Sequence, residues 1–211
     1  MIISASRRTD IPAFYSRWLV NRFIEGYCFV PNPYNIKKAT RVSLLREDVD
    51  AIVFWTRNPA PFVQHLPFLD NEGFPYFFHF SILGYPREID LHCPCLETCL
   101  DNFRSLAEKI GSARVIWRYD PILITQQTNV NYHIERFHQI AESLNGYTRR
   151  VVISLYDPYP GHKTRMRKLD EAGYRWIDEK DIPTDDLDNL YGSIGSVASA
   201  CGMSVQSCAE K

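Results

Sequence analysis

MIISASRRTDIP, residues 1–12, joins a short apolar run to a polar turn and then to a proline. The apolar run predicts a first β-strand. Pro12 suits the first turn of a helix, and Asp10 stands where a helix cap would stand. Strand, polar turn and helix make the first half of a βαβ unit. Ligands bind at the carboxyl ends of such strands in α/β folds, so this turn is a candidate binding segment.

The composition is that of an ordinary globular chain. Its 211 residues are 45% hydrophobic and 23% charged, with a net charge of -1, so nothing indicates general nucleic-acid binding through a basic surface. No apolar run reaches the roughly 18 residues of a membrane-spanning helix, and the N-terminus has no signal-peptide pattern. We therefore expect a cytoplasmic location. Six cysteines in such a chain indicate thiols or metal ligands rather than a disulfide framework.

Apolar runs alternate with helical patterns along the chain. Core strands are predicted at 1–3, 51–55, 76–82, 114–119, 151–156 and 203–207. Two further β-like runs predict a small hairpin insertion near residues 27–45, and residues 161–165 are expected in a long polar loop. Strict alternation predicts a parallel sheet with right-handed crossovers.

We therefore expect an α/β fold, a partial TIM-like (β/α)6 barrel in a single domain, residues 1–211. An open doubly wound sheet also fits, but no GxGxxG follows the first strand and no phosphate-binding P-loop motif occurs. A complete eightfold barrel commonly takes about 250 residues. Because no helix follows the last predicted strand, the barrel is expected to be incomplete, or the sequence to lack a C-terminal segment.

Polar side chains follow every predicted core strand. Three carboxylates are catalytic candidates, because they could orient arginines or move protons: Asp10, Asp120 and Glu210. The candidates for substrate binding are Arg7, Arg8, Thr56, Arg57, Asn58, Arg118 and Ser154. The planar fork of arginine suits carboxylate and phosphate, so we expect a small anionic molecule as the ligand. Each of these residues alone could be a cap or a turn starter, but helix caps do not call for repeated arginines.

Three other features are more typical of structure than of function. A cysteine cluster beside His92 could hold zinc or an iron–sulfur centre, yet its CxCxxxC spacing is not a standard one; it consists of Cys93, Cys95 and Cys99. His79 lies inside a predicted strand, which favours a core histidine. The basic run at 163–168 is typical of a solvated face, although it could extend a binding surface towards nucleic acid.

Three strand-end motifs occur in order, SASRRTDIP at 4–12, VDAIVFWTRNP at 49–59 and VIWRYDP at 115–121. With these motifs the chain resembles the bacterial domain of unknown function family 1848 over essentially its whole length. The resemblance implies a partial α/β barrel similar to the radical S-adenosylmethionine enzymes, with a cysteine cluster near the C-terminus for an iron–sulfur centre. That cluster is expected beyond Lys211. The resemblance therefore implies no cofactor in this chain, and a 4Fe-4S cluster with S-adenosylmethionine in a longer form.

The leading hypothesis is a radical-SAM-like barrel that binds an anionic substrate or cofactor at its strand ends and belongs to an enzyme. One alternative is a non-catalytic nucleotide or nucleic-acid binding module, which would add Lys163, Arg165 and Arg167 as phosphate contacts and would lose affinity steeply with salt. Another is a metal-independent barrel enzyme acting on a phosphorylated metabolite.

Overall fold

A computed structural model describes residues 1–5, 9–32, 34–158 and 160–208. The chain has an α/β fold with a six-stranded parallel sheet, which confirms the predicted class. Closure of that sheet into a barrel stays a prediction. The chain divides into two compact units, Met1–Phe80 and Ser81–Lys211.

The first unit holds the N-terminal strands and the predicted hairpin. Its strands are β1 (Ile2–Ala5), β2 (Tyr27–Asn32), β3 (Asn35–Ser43), β4 (Ala51–Thr56) and β5 (Tyr76–Ser81). β1 pairs in parallel with β4, and β4 with β5. β2 and β3 form a separate antiparallel pair, which confirms the hairpin insertion. The α-helices among the described residues of this unit are α1 (Ile11–Phe14), α2 (Ser16–Glu25), α3 (Ala60–Val63) and α4 (Leu66–Asn71).

The two faces of the sheet in this unit differ in burial. Phe54 and Phe78 stack at 4.7 Å between ring centroids on one face, where Phe62 of α3 also contacts Phe54. All three rings are fully buried. The opposite face carries Trp55 and His79, which stack at 4.3 Å and are only half-buried. The apolar face therefore packs beneath the helices, and the aromatic–histidine pair lies on the other.

The second unit repeats the β/α pattern. Its strands are β6 (Val115–Ile122), β7 (Arg150–Leu155) and β8 (Ser204–Ser207), and its helices are α5 (Leu96–Ile110), α6 (Val130–Ser143), α7 (Lys163–Glu171) and α8 (Thr184–Ala200). β6 pairs in parallel with β7, and β7 with β8. Trp117 and Phe137 stack at 4.7 Å in its core. No helix of the described chain combines the length and apolarity needed to span a bilayer.

One element of this unit was missed from the sequence. The expected polar loop at 161–165 is wrong, because a short 3-10 helix covers Pro160–His162 and α7 begins at Lys163. The segment has helix-favouring lysines and arginines and no proline within α7. It buries only Leu169 among the residues of α7, so it lacks the apolar stripe by which an amphipathic helix is recognised.

Candidate functional site

Asp10 joins the start of α1 to the end of β4. Its Oδ1 accepts a hydrogen bond from the backbone N–H of Ala13 at 2.9 Å, which confirms Asp10 as a helix cap. Its Oδ2 accepts from Thr56 Oγ1 at 3.0 Å and from the backbone N–H of Arg57 at 2.7 Å. Three hydrogen bonds that fix the local backbone and a neighbouring side chain favour a positioning role for this carboxylate over the predicted proton transfer.

Thr56 and Asn58 shape the turn that follows β4. Thr56 is buried, and its Oγ1 accepts from the backbone N–H of Asn58 at 3.0 Å. Asn58 Oδ1 in turn accepts from the N–H of Ala60 at 3.2 Å, at the start of α3. The first unit thus brings four predicted site residues together, with Arg57 half-buried between them. The predicted substrate-binding residues Arg7 and Arg8 lie outside the described residues.

A second group of predicted residues meets at the ends of β6 and β7. Arg118 Nη2 donates to Asp120 Oδ2, and Asp120 Oδ1 accepts from Ser154 Oγ. Arg118 Nη2 also approaches Cys208 Sγ at 3.2 Å. We call these four residues the carboxyl-end cluster. The predicted catalytic Glu210 lies outside the described residues.

Strand register explains why these residues meet. Arg118 is opposite Val152 on β7, and Val152 is opposite Gln206 on β8. Side chains two residues apart point to the same face of a strand. Ser154 and Cys208 therefore follow the Val152 and Gln206 positions on the face that carries Arg118.

The charges of Arg118 and Asp120 must be paired, because both side chains are largely buried. The side chains of Arg118 and Asp120 are 8% and 14% exposed, and a buried charge is tolerated when it is paired and hydrogen-bonded. Asp120 supplies the opposite charge. Because the Ser154 hydroxyl donates its proton to Asp120, its remaining lone pairs are available to a donor on an incoming molecule. Asp120 therefore accepts hydrogen bonds from Arg118 and Ser154 that the sequence alone assigns to a ligand.

An open pocket of about 910 Å³ lies beside the cluster, and Ser154 and Cys208 belong to its wall. Aromatic rings form another part of the wall, including Trp176 and Tyr191. Its acidic groups are Asp157, Asp178 and Glu179. Asp178 pairs with Lys180 at 3.0 Å, and the pKa of that carboxyl is lowered mainly by this hydrogen bond. The pocket thus offers hydroxyl, thiol, aromatic and carboxylate contacts to a small polar molecule.

Sequence reasoning missed the outer wall of this pocket. Trp176 and Glu179 come from the connection between α7 and α8, where no periodic pattern identifies a structural role. The buried His133 was also missed: burial lowers its pKa to about 4, and its ring contacts Tyr119 Oη at 2.9 Å and Leu123 O at 3.2 Å.

The arginines of the basic run at 163–168 have structural contacts of their own. Arg165 donates to the carbonyl of Ile89 at 2.8 Å, and Arg167 pairs with Glu171 at 3.6 Å. These internal contacts give no support to a nucleic-acid surface on α7.

Across the part of the chain that the structure describes, no group of three or more His, Cys, Asp or Glu side chains is placed to hold a metal ion.

Comparison with known proteins gives one match. A family model described as Domain of unknown function (DUF1848) covers residues 2–211. No curated protein and no solved structure matches the chain.

Proposed function

The chain belongs to the DUF1848 family, and from that premise we propose that it is the substrate-binding domain of an enzyme acting on a small polar molecule with an anionic group. The observation that carries this proposal is Arg118, which is 6% exposed and is linked through Asp120 and Ser154 to the wall of an open pocket. A buried ion pair is weak as a source of stability. Its position behind a pocket wall therefore favours a functional role.

Each member of the carboxyl-end cluster has a distinct part in this proposal. Ser154 and Cys208 contact the bound molecule, because both line the pocket. Asp120 orients the Ser154 hydroxyl and balances the charge of Arg118. A donor group on the ligand would hydrogen-bond to Ser154 Oγ, whose own proton faces Asp120, so a proton could pass from the ligand to the carboxylate by two short transfers.

The anionic group of the ligand is assigned to the neighbourhood of Arg118. Ligand binding would place negative charge near a guanidinium that is already fixed by Asp120, so little side-chain entropy remains to be lost. The acidic wall formed by Asp157 and Glu179 favours hydrogen-bond donors or positive charge on the rest of the molecule. The predicted anion-binding role of Thr56, Arg57 and Asn58 stays a separate proposal for the first unit.

A barrel-like closure and radical-SAM-like chemistry are proposals that rest on the resemblance to the family. The described residues do not fit an iron–sulfur cluster, because no suitably placed group of three metal-ligating side chains occurs among them. No step of the proposed chemistry is therefore derived through such a cluster.

Thermal unfolding with anionic probes tests the proposal. Inorganic phosphate and malonate are added at constant ionic strength, so that general screening does not change. A probe at ten times its Kd stabilises the folded state by about 1.4 kcal/mol, which raises the Tm of a chain of this size by about 3–5 °C. Ser154→Ala and Arg118→Lys should remove that rise.

Matched controls separate the site from general anion effects. Ser143→Ala removes an exposed hydroxyl that bonds within α6, and Arg104→Lys alters an exposed arginine paired with Asp101. Both controls should keep the full rise in Tm. Equal shifts in all four variants, or no shift in the wild-type chain with either probe, would contradict the proposed site.

A further inference from the structure

Two thiols face each other beside the N-terminus of α5. Cys93 Sγ and Cys99 Sγ lie 3.9 Å apart, against about 2.05 Å in a disulfide bond. Cys99 is 3% exposed and lies on the buried face of α5, whereas Cys93 is half-buried. The sulfurs would have to approach by about 2 Å, a displacement within reach of side-chain rotation and a small shift of the preceding loop.

The two thiols border a cavity of about 200 Å³, together with the third cysteine of the cluster, Cys95. Cys95 is exposed and occupies the N-cap position of α5. Its Sγ lies 3.1 Å from Thr98 Oγ1, and this hydrogen bond lowers the pKa of the thiol. A reactive thiol at the cavity therefore accompanies a close pair, one member of which is accessible and the other shielded.

We propose that Cys93 and Cys99 are a redox-active dithiol that exchanges with low-molecular-weight disulfides. The difference in exposure assigns the order of events, because Cys93 can be reached from the cavity while Cys99 is shielded from a bulky oxidant. Cys93 is the attacking thiol and Cys99 the resolving one. Cys95 lies outside the pair and reacts independently.

The exchange balances with oxidised glutathione as the oxidant. The Cys93 thiolate attacks one sulfur of the glutathione disulfide, a mixed disulfide forms, and one glutathione thiolate leaves and takes up a proton. The Cys99 thiol then loses its proton to solvent, and the resulting thiolate attacks Cys93 Sγ and displaces the second glutathione as a thiolate, which takes up a proton. Two electrons pass from the two cysteines to glutathione, and two glutathione thiols are released for each protein disulfide formed.

The dithiol is tested by thiol trapping in defined glutathione buffers. The full chain is equilibrated anaerobically at a series of ratios of oxidised to reduced glutathione, quenched with N-ethylmaleimide, and mapped by peptide mass spectrometry. In Cys95→Ser, the joint alkylation of Cys93 and Cys99 should fall at least tenfold at the oxidising end, with a loss of two hydrogens from their peptide. In the wild-type chain, a glutathione adduct on Cys95 should show that the oxidant has reached the cavity.

The single variants distinguish the two assigned roles. Cys99→Ser should accumulate a glutathione adduct on Cys93, because the resolving thiol is absent. Cys93→Ser should leave Cys99 as an alkylatable thiol after unfolding, without an adduct. Cys201→Ser is the control: it replaces a buried thiol at the C-cap of α8 and should leave the exchange unchanged. Full alkylation of Cys93 and Cys99 throughout the series, or an intramolecular disulfide that joins Cys95 to another cysteine of the chain, would overturn the proposal.

Discussion

Replacing Arg118 by methionine should lower the free energy of unfolding far more than the same replacement at an exposed arginine. The substitution removes the opposite charge from Asp120, whose side chain is 14% exposed and whose other oxygen is held by Ser154. Leaving one member of a buried ion pair without the other costs about 3–5 kcal/mol. The corresponding change at Arg104, which is 37% exposed in its pair with Asp101, should cost less than about 0.5 kcal/mol.

Urea unfolding measured by fluorescence or circular dichroism gives these free energies. At a typical urea dependence of about 2–3 kcal/mol per molar, Arg118→Met should lower the midpoint by about 1–2.5 M. Asp120→Asn neutralises the partner while keeping its shape, so Arg118→Met/Asp120→Asn should recover about 2 kcal/mol relative to the sum of the single losses. A loss for Arg118→Met equal to that of Arg104→Met, or additive single losses, would refute the reasoning that the pair is a tightly coupled buried unit.

Two further predictions concern residues away from this pair. His133 is fully buried, and burial lowers its pKa from 6.5 to about 4. Because the unfolded chain binds the proton more tightly, the free energy of unfolding should fall by about 3 kcal/mol as the pH drops from about 6.5 to about 4. His133→Gln should remove that component, and identical pH profiles of the unfolding free energy in both proteins would contradict it. Asp10→Ala should lower the free energy of unfolding in urea by about 2–3 kcal/mol, because a helix cap is lost and Thr56 and the N–H of Arg57 lose an acceptor. Asp101→Ala, at an exposed carboxylate, should change it by less than about 0.5 kcal/mol. Equal losses in the two variants would argue against the positioning role of Asp10.

The sheet could be predicted because its signals are local. Continuous apolar runs such as 51–55 became β4, and the hairpin near 27–45 became β2 and β3. A continuous apolar run is typical of a strand in a parallel sheet, and Asp10 could be recognised as a cap from its position alone. α7 could not be recognised, since a solvated helix that buries only Leu169 has no apolar stripe.

The roles of the site residues depended on distances that no local pattern contains. Sequence placed Arg118, Asp120 and Ser154 at strand ends but could not show that Asp120 would satisfy both of the others. It likewise grouped Asp10 with Asp120, although Asp10 is held by contacts that fix α1 to β4. Parallel register, which joins residues 34 positions apart, decides which carboxylate lies behind a pocket wall and which one stabilises a turn.

The side-chain nitrogen resonances of Arg118 give the most direct test of the proposed binding site. They are assigned by comparing ¹⁵N spectra of the wild-type chain with those of Arg118→Lys, and followed during titration with phosphate or malonate at constant ionic strength. The account predicts that the Arg118 signals shift and saturate, while those of the exposed Arg104 change little. Arg118 signals that stay in place, or that move in parallel with those of Arg104, would contradict an anionic ligand at the carboxyl-end cluster.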